Sequence, residues 1–240
     1  METSYRFPMP QSNLLLIVGH YGCGKTNVAV NLAMQLADSG IQVTLADLDI
    51  VNPYFRAADN AEELRARGIN VIIPEYANSN VDIPSVPPEI QSIFISLRGG
   101  ASGVSILDIG GDDAGATALG FYRPLIGDLP YEMYCVLNCY RPLIEKPEDA
   151  VEMLRDIEAS SRLRCTGLIN NSNLGEATDA QCITASFAYA DAVAAKAGIP
   201  LAADTAAADY LSREEIELLA DSRRLFLMRN ITKNIYDRRS

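Results

Sequence analysis

The stretch that decides the fold is Leu14-Leu15-Leu16-Ile17-Val18-Gly19-His20-Tyr21-Gly22-Cys23-Gly24-Lys25-Thr26. The apolar run Leu14 to Val18 predicts a buried strand, Gly19 to Thr26 matches G-x-x-x-x-G-K-[ST] without a mismatch, and Val28, Leu32 and Leu36 recur as on a buried helical face. Strand, loop and helix in that order make a cradle for phosphate. The glycines let the backbone turn tightly enough for the N–H groups between Gly22 and Thr26 to converge on one anion, and the new helix adds its positive end. Lys25 has the length to reach the β- and γ-phosphates of a nucleotide, and the Thr26 hydroxyl is placed to ligate Mg²⁺. His20, Tyr21, Cys23 and the following Asn27 complete the nucleotide-binding candidates of this segment.

Two further strand ends add carboxylates. Gly40 closes the first helix, and Ile41 to Ala46 predicts a second strand that runs into Asp47-Leu48-Asp49-Ile50-Val51-Asn52-Pro53. Carboxylates at the C-terminal end of a core strand sit where open α/β sheets place ligands, so Asp49 is a candidate to orient water or hold magnesium, with Asp47 its nearest competitor. Val104 to Ile109 is a strand carrying Asp108 near its end, followed by Gly110-Gly111. That combination suits a carboxylate holding Mg²⁺, with glycines that let backbone approach a γ-phosphate. Asp112 and Asp113 read as capping residues of the next helix.

The remaining elements alternate. Asn60 to Arg67 reads as helix and Asn70 to Ile73 as a short strand; Pro74, Pro84, Pro87 and Pro88 mark an irregular stretch, with a helix from Glu89 to Leu97. Tyr131 to Asn138 is a strand, Tyr140-Arg141-Pro142 a turn whose arginine is placed for a phosphate, a partner or solvent, and Pro147 to Ala159 a helix. Cys165 to Asn170 is a strand, and Thr178 with Gln181 forms a capping box for a helix running to Ala197, closed by Gly198 and Pro200. Alternation of this kind predicts a doubly wound, mainly parallel α/β sheet.

Length and composition fit one domain over residues 1–240, and no stretch approaches the roughly 20 apolar residues of a membrane span. The first residues resemble neither a secretory signal nor a transit peptide. Five cysteines without a C-x-x-C pair suit a reducing, cytoplasmic setting. A net charge of −11 argues against nucleic-acid binding. From Ser222 onward, however, six Arg and Lys residues stand against Asp237 alone. Leu225, Met228, Ile231 and Ile235 then suggest a basic C-terminal helix over residues 222–240, docked on the sheet rather than lying on a membrane surface.

With the loop at Gly19 to Thr26, the Asp47-Leu48-Asp49 to Asn52-Pro53 segment and Asp108 to Gly111 in place, the sequence resembles the MinD/ParA group of P-loop ATPases, in the SIMIBI class with CobQ and CobB. The resemblance runs from Leu14 to Asp204. It implies ATP and Mg²⁺ as ligands, a water positioned by Asp49, which also sits beside the metal, and a base contacted by Asn170 or Asn171 and the segment after Pro200. It also implies a nucleotide-linked homodimer. The group's loop usually carries a second lysine after its first glycine; here that position is His20, the only histidine of the chain. No cysteine follows Asp108 to Asp113, which argues against an iron–sulfur cluster, and Asn170-Asn171-Ser172-Asn173 lacks the carboxylate of a guanine-reading N-K-x-D motif, which favours adenine. The leading expectation is a Mg²⁺-dependent ATPase acting as a switch on a protein partner. A small-molecule kinase or ATP-dependent ligase, and a nucleotide-dependent switch with little turnover, are the alternatives.

Overall fold

The computed structural model describes residues 5–48, 61–73, 88–111 and 113–231. In chain order the elements are β1 (Leu14–Gly19), α1 (Lys25–Asp38), β2 (Val43–Leu48), α2 (Ala61–Ala66), β3 (Asn70–Ile72), α3 (Pro88–Arg98), β4 (Val104–Ile109) and α4 (Asp113–Ile126). They continue as β5 (Glu132–Leu137), α5 (Pro147–Ser161), β6 (Gly167–Asn170), α6 (Ala180–Ala185), α7 (Phe187–Ala197), β7 (Leu201–Ala207), α8 (Arg213–Ser222) and β8 (Leu225–Met228).

The strands form one eight-stranded sheet in the order β3-β2-β4-β1-β5-β6-β7-β8. Every pairing is parallel. The chain leaves β1 for β2, moves outward to β3, returns to β4 beside β1 and then crosses to β5 on its other side. This reversal makes the C-terminal end of β1 the switch point where ligands bind in open α/β sheets, and the glycine loop starts there.

Both faces of the sheet are covered, which explains why the central strands are apolar without alternation. Leu15 and Ile17 of β1 face one core with Val28, Leu32 and Leu36 of α1. Leu14, Leu16 and Val18 face the other, with Phe94 of α3, Tyr122 of α4 and Leu154 of α5. Phe7 joins the first core edge-on to Tyr134 and Phe226, and Gln35 of α1 bonds its backbone N–H (2.8 Å) and C=O (2.9 Å). Among the described residues, no helix is long and apolar enough to cross a membrane.

Three expectations change. The helix foreseen up to Ala197 is two helices, α6 and α7, and its cap is Asp179, whose carboxylate accepts from the Cys182 N–H at 2.7 Å. Thr178 instead donates its hydroxyl to Gly175 O at 2.6 Å and accepts from Leu174 N–H. The break falls at Ser186, which is fully buried and whose hydroxyl donates to Ile183 O at 2.7 Å while accepting from Asn170. Second, the basic C-terminal helix over 222–240 is not seen in the described part of that segment: Leu225–Met228 is β8, paired with β7 from Asp204↔Leu225 to Ala207↔Met228. The main-chain partners along β7 hold it extended, and residues 232–240 lie outside the described residues. Third, β7 and α8 follow Pro200 where no element was foreseen.

Candidate functional site

The site is built on the ends of β1, β4, β6 and β7. The α1 helix opens on Lys25 with Gly24 before it in the left-handed region at φ 89°. Only glycine fits there, because a Cβ on Gly24 would also overlap Nδ2 of Asn171. Lys25 is 6% exposed, donates to His20 O at 3.3 Å and passes against Gly111, where a Cβ would overlap its ammonium. The glycine pair after β4 therefore lies directly on the loop lysine. Thr26 donates its hydroxyl to Asp108 Oδ2 at 2.6 Å, and Asp108 is 1% exposed. Asp47 stands opposite Asp108 in the β2–β4 register and is also buried. Asp49 lies outside the described residues.

Asn171 lies in the lining of the cavity beside the loop and ties the loop to β7. Its amide donates to Cys23 O in the loop at 2.7 Å, while its Oδ1 accepts from the Thr205 hydroxyl at 2.6 Å. Asn170 is buried behind it with both amide hydrogens engaged, one by Ser186 Oγ at 2.9 Å and one by Asp204 Oδ1 at 2.7 Å, and its Oδ1 accepts from the Ser172 hydroxyl. Burial pushes the Asp204 carboxyl above its ordinary value, with the Asn170 hydrogen bond opposing. Pro200 is exposed at the start of β7, its carbonyl accepting from Leu168 N–H, at the end of the strand away from the loop. It is the far end, Thr205 to Ala207, that reaches the site.

A cavity of about 250 Å³ follows the loop from Gly22, Gly24, Lys25 and Thr26 past Arg141 and Asn171 to Thr205, Tyr210, Met228 and Asn230. Asn27 lines it too, but its Oδ1 accepts from Ile231 N–H at 3.0 Å, so it fastens the segment after β8 to α1. Asn31, one turn on, exchanges two hydrogen bonds with the backbone of Arg229. Tyr210 follows Pro200 in a stretch where the sequence predicts no element, and nothing in a tail read as helix brings Met228 and Asn230 to a loop two hundred residues earlier.

His20 and Tyr21 face a second, open groove of about 610 Å³, whose lining also includes Gly110, Gly111, Leu143 and three carboxylates of α5, Asp149, Glu152 and Asp156. Tyr21 borders both spaces, while His20 is absent from the lining of the first and its Nδ1–H donates to Tyr21 O at 3.0 Å. Cys23 is wholly buried, and burial pushes its thiol up against the opposing charge of Lys25, so it packs as an apolar residue.

The site's donor set fits a nucleotide and its metal. Thr26, in the lining of the cavity, holds its Oγ1 2.6 Å from Asp108 Oδ2, and both are hard oxygen donors of the kind Mg²⁺ prefers when phosphates supply its other ligands. Among the described residues no group of three or more His, Cys, Asp or Glu is gathered for a metal, and such a cage is not what a phosphate-borne Mg²⁺ needs.

A sequence model of the ParA family, described as NUBPL iron-transfer P-loop NTPase, matches residues 11–93. Solved structures extend the likeness along the chain. The signal recognition particle receptor FtsY from Elizabethkingia anophelis superposes with a TM-score of 0.54 at 19% identity, covering 84% of this chain and 61% of that one.

The chain shares the fold of these structures, and residues 11–93, phosphate loop included, are similar to the ParA family.

FtsY from Mycoplasma mycoides gives a TM-score of 0.55 at 16% identity over 84% of this chain and 62% of its own. Signal Recognition Particle 54 kDa protein from Aeropyrum pernix, solved in complex with GDP, gives 0.55 at 19% over 82% and 42%. The chain thus spans about three-fifths or less of the length of these structures. Among curated proteins none matches.

Proposed function

We propose that the chain is a nucleotide-controlled switch that binds Mg²⁺ and ATP, hydrolyses ATP, and transmits the state of the site to a protein partner. The observation that carries this reading is the cluster of Lys25 under Gly111 and Thr26 on Asp108, which ties the phosphate loop to the segment after β4. Lys25 would neutralise charge on the transferred phosphoryl group and Asp49 would orient the attacking water, so that catalysis rests on position and charge. Thr26 and Asp108 would hold Mg²⁺, which supplies charge neutralisation between the phosphates. A γ-phosphate arriving above Lys25 meets Gly110-Gly111, and its loss frees them. That is the coupling a switch requires.

Adenine is favoured because Asn173, where a guanine reader carries a carboxylate, has its Oδ1 engaged by Gly175 N–H at 3.1 Å. GTP is the necessary comparison, since a structural neighbour was solved with GDP. The second groove favours one further reading, a kinase or ligase, because an acceptor seated there would approach the loop from the side of His20. One sheet holding the eight strands of the described residues supports a single domain over the chain, and the cytoplasmic assignment rests on the unpaired cysteines.

The test is Mg²⁺-dependent turnover of ATP against GTP, with Lys25→Ala as control and mass read by light scattering with and without nucleotide. Turnover of ATP abolished in Lys25→Ala supports the switch ATPase. Turnover that survives the substitution overturns it, and turnover only with an added acceptor moves the assignment to a transferase.

A further inference from the structure

The loop's second position, His20, does not line the nucleotide cavity, and among the described lining residues that cavity holds only two cations, Lys25 and Arg141. The turn after β5 holds the backbone of Arg141. Asn138, wholly buried, accepts at its backbone carbonyl from Arg141 N–H at 3.1 Å and at its side chain from Tyr140 N–H at 3.0 Å. Arg141 O in turn accepts from Ile144 N–H at 3.3 Å. Tyr140 fixes the turn from outside by donating its hydroxyl to Cys182 O at 2.7 Å. Leu143 takes the left-handed conformation at φ 72°, a strain of about 1 kcal/mol or more that a braced turn sustains.

From this base the Arg141 side chain runs across the phosphate loop. Its Nε and Cζ lie 3.6 and 3.7 Å from the position a Cβ on Gly22 would take. Its charge is felt inside the loop, where it opposes the rise of the Cys23 thiol. In a chain of net charge −11, among the described residues it forms no ion pair. An exposed guanidinium lying against the glycine loop at Gly22, without an ion pair among the described residues, is placed for an anion, and its planar fork matches phosphate oxygens.

Resting on the nucleotide-site reading, we infer that Arg141 anchors the phosphate chain of the bound nucleotide from within the same chain. It supplies a second cation beside Lys25 at the phosphate loop. The phosphate site is then complete in one copy, and affinity for a nucleoside diphosphate does not depend on a second copy.

The experiment is calorimetric titration of the full chain with ADP, GDP and AMP at two salt concentrations, in wild type, Arg141→Ala, Arg141→Lys and the exposed-surface control Arg155→Ala. Light scattering reads the mass of the same samples. Expected are a tenfold or greater loss of diphosphate affinity in Arg141→Ala with a shallower salt dependence, partial recovery in Arg141→Lys, no change in Arg155→Ala, and binding by the monomer. Wild-type protein that binds neither ADP nor GDP overturns the nucleotide-site reading itself. Normal wild-type binding with unchanged affinity in Arg141→Ala, a loss with unaltered salt dependence, or binding confined to dimers overturns the inference alone. Should Arg141→Ala fail to fold, Arg141→Gln carries the same comparison.

Discussion

At the scale of single residues, the site depends on close approach more than on the number of charged groups. Gly111 has Lys25 where its side chain would be, so Gly111→Ala must push the ammonium aside or move the backbone. The expected outcome is loss of nucleotide turnover of a hundredfold or so with little change in melting temperature, read by coupled-enzyme assay and thermal denaturation together. That corresponds to about 2.7 kcal/mol of transition-state stabilisation. Asn171→Ala removes the strut between the Cys23 carbonyl and Thr205. Both partners are buried, so the change should cost about 1–3 kcal/mol of stability and loosen nucleotide binding as the loop loses its brace. Urea denaturation and an ADP titration of the same variant check both parts. An Asn171→Ala protein of wild-type stability would refute the strut.

At the scale of elements, the C-terminal third is held by caps and one bidentate pair. Ser212 accepts from Glu215 N–H at 3.3 Å and the Glu215 carboxylate accepts from Ser212 N–H at 2.8 Å, a complete capping box for α8. Ser212→Ala should cost about 1 kcal/mol, visible as a lowered urea midpoint. After α8, Arg223 donates to both oxygens of Asp191 on α7, at 2.9 and 2.6 Å, and lies 4.6 Å over the Phe187 ring. Hydrogen bonding to Arg223 holds the Asp191 carboxyl below its ordinary value. A folded value below the unfolded one means stabilisation that is present at neutral pH and lost as pH falls through the lowered value, that is, below 3.8. Because Asp191 is 53% exposed, solvent screens the pair and its contribution stays below about 1 kcal/mol. Asp191→Asn should therefore melt slightly below wild type at pH 7 and together with it under strongly acid conditions.

At the scale of the whole molecule, the sheet's faces are closed partly by residues far away in sequence. Phe7, 2% exposed, seals the core where α1, β5 and β8 meet. Phe7→Ala should cost about 3–5 kcal/mol, measured by chemical denaturation. The segment after β8 is fastened to α1 through Asn27 and Asn31, so the tail and the nucleotide loop share one helix.

The sequence by itself determined the strand, loop and helix of the phosphate site, because G-x-x-x-x-G-K-[ST] is a local device whose residues lie next to one another. The same holds for Asp108 with its glycine pair and for most elements up to β6, whose apolar runs are long and bounded by glycine or proline. Tertiary structure alone decided the rest. Leu201–Ala207 is rich in alanine and alternates with neither period, and it becomes a strand only because β6 and β8 offer main-chain partners on both sides. Leu225, Met228 and Ile231 are spaced as well for a helix face as for a short buried strand, and pairing with β7 settles the choice. Asn170 and Asn171 look alike in the chain, yet strand geometry turns one behind the sheet and the other onto the loop. Side-chain direction at a strand end, and the reach of a turn such as that of Arg141, depend on which strands become neighbours, and the order of strands in a sheet is not a local property.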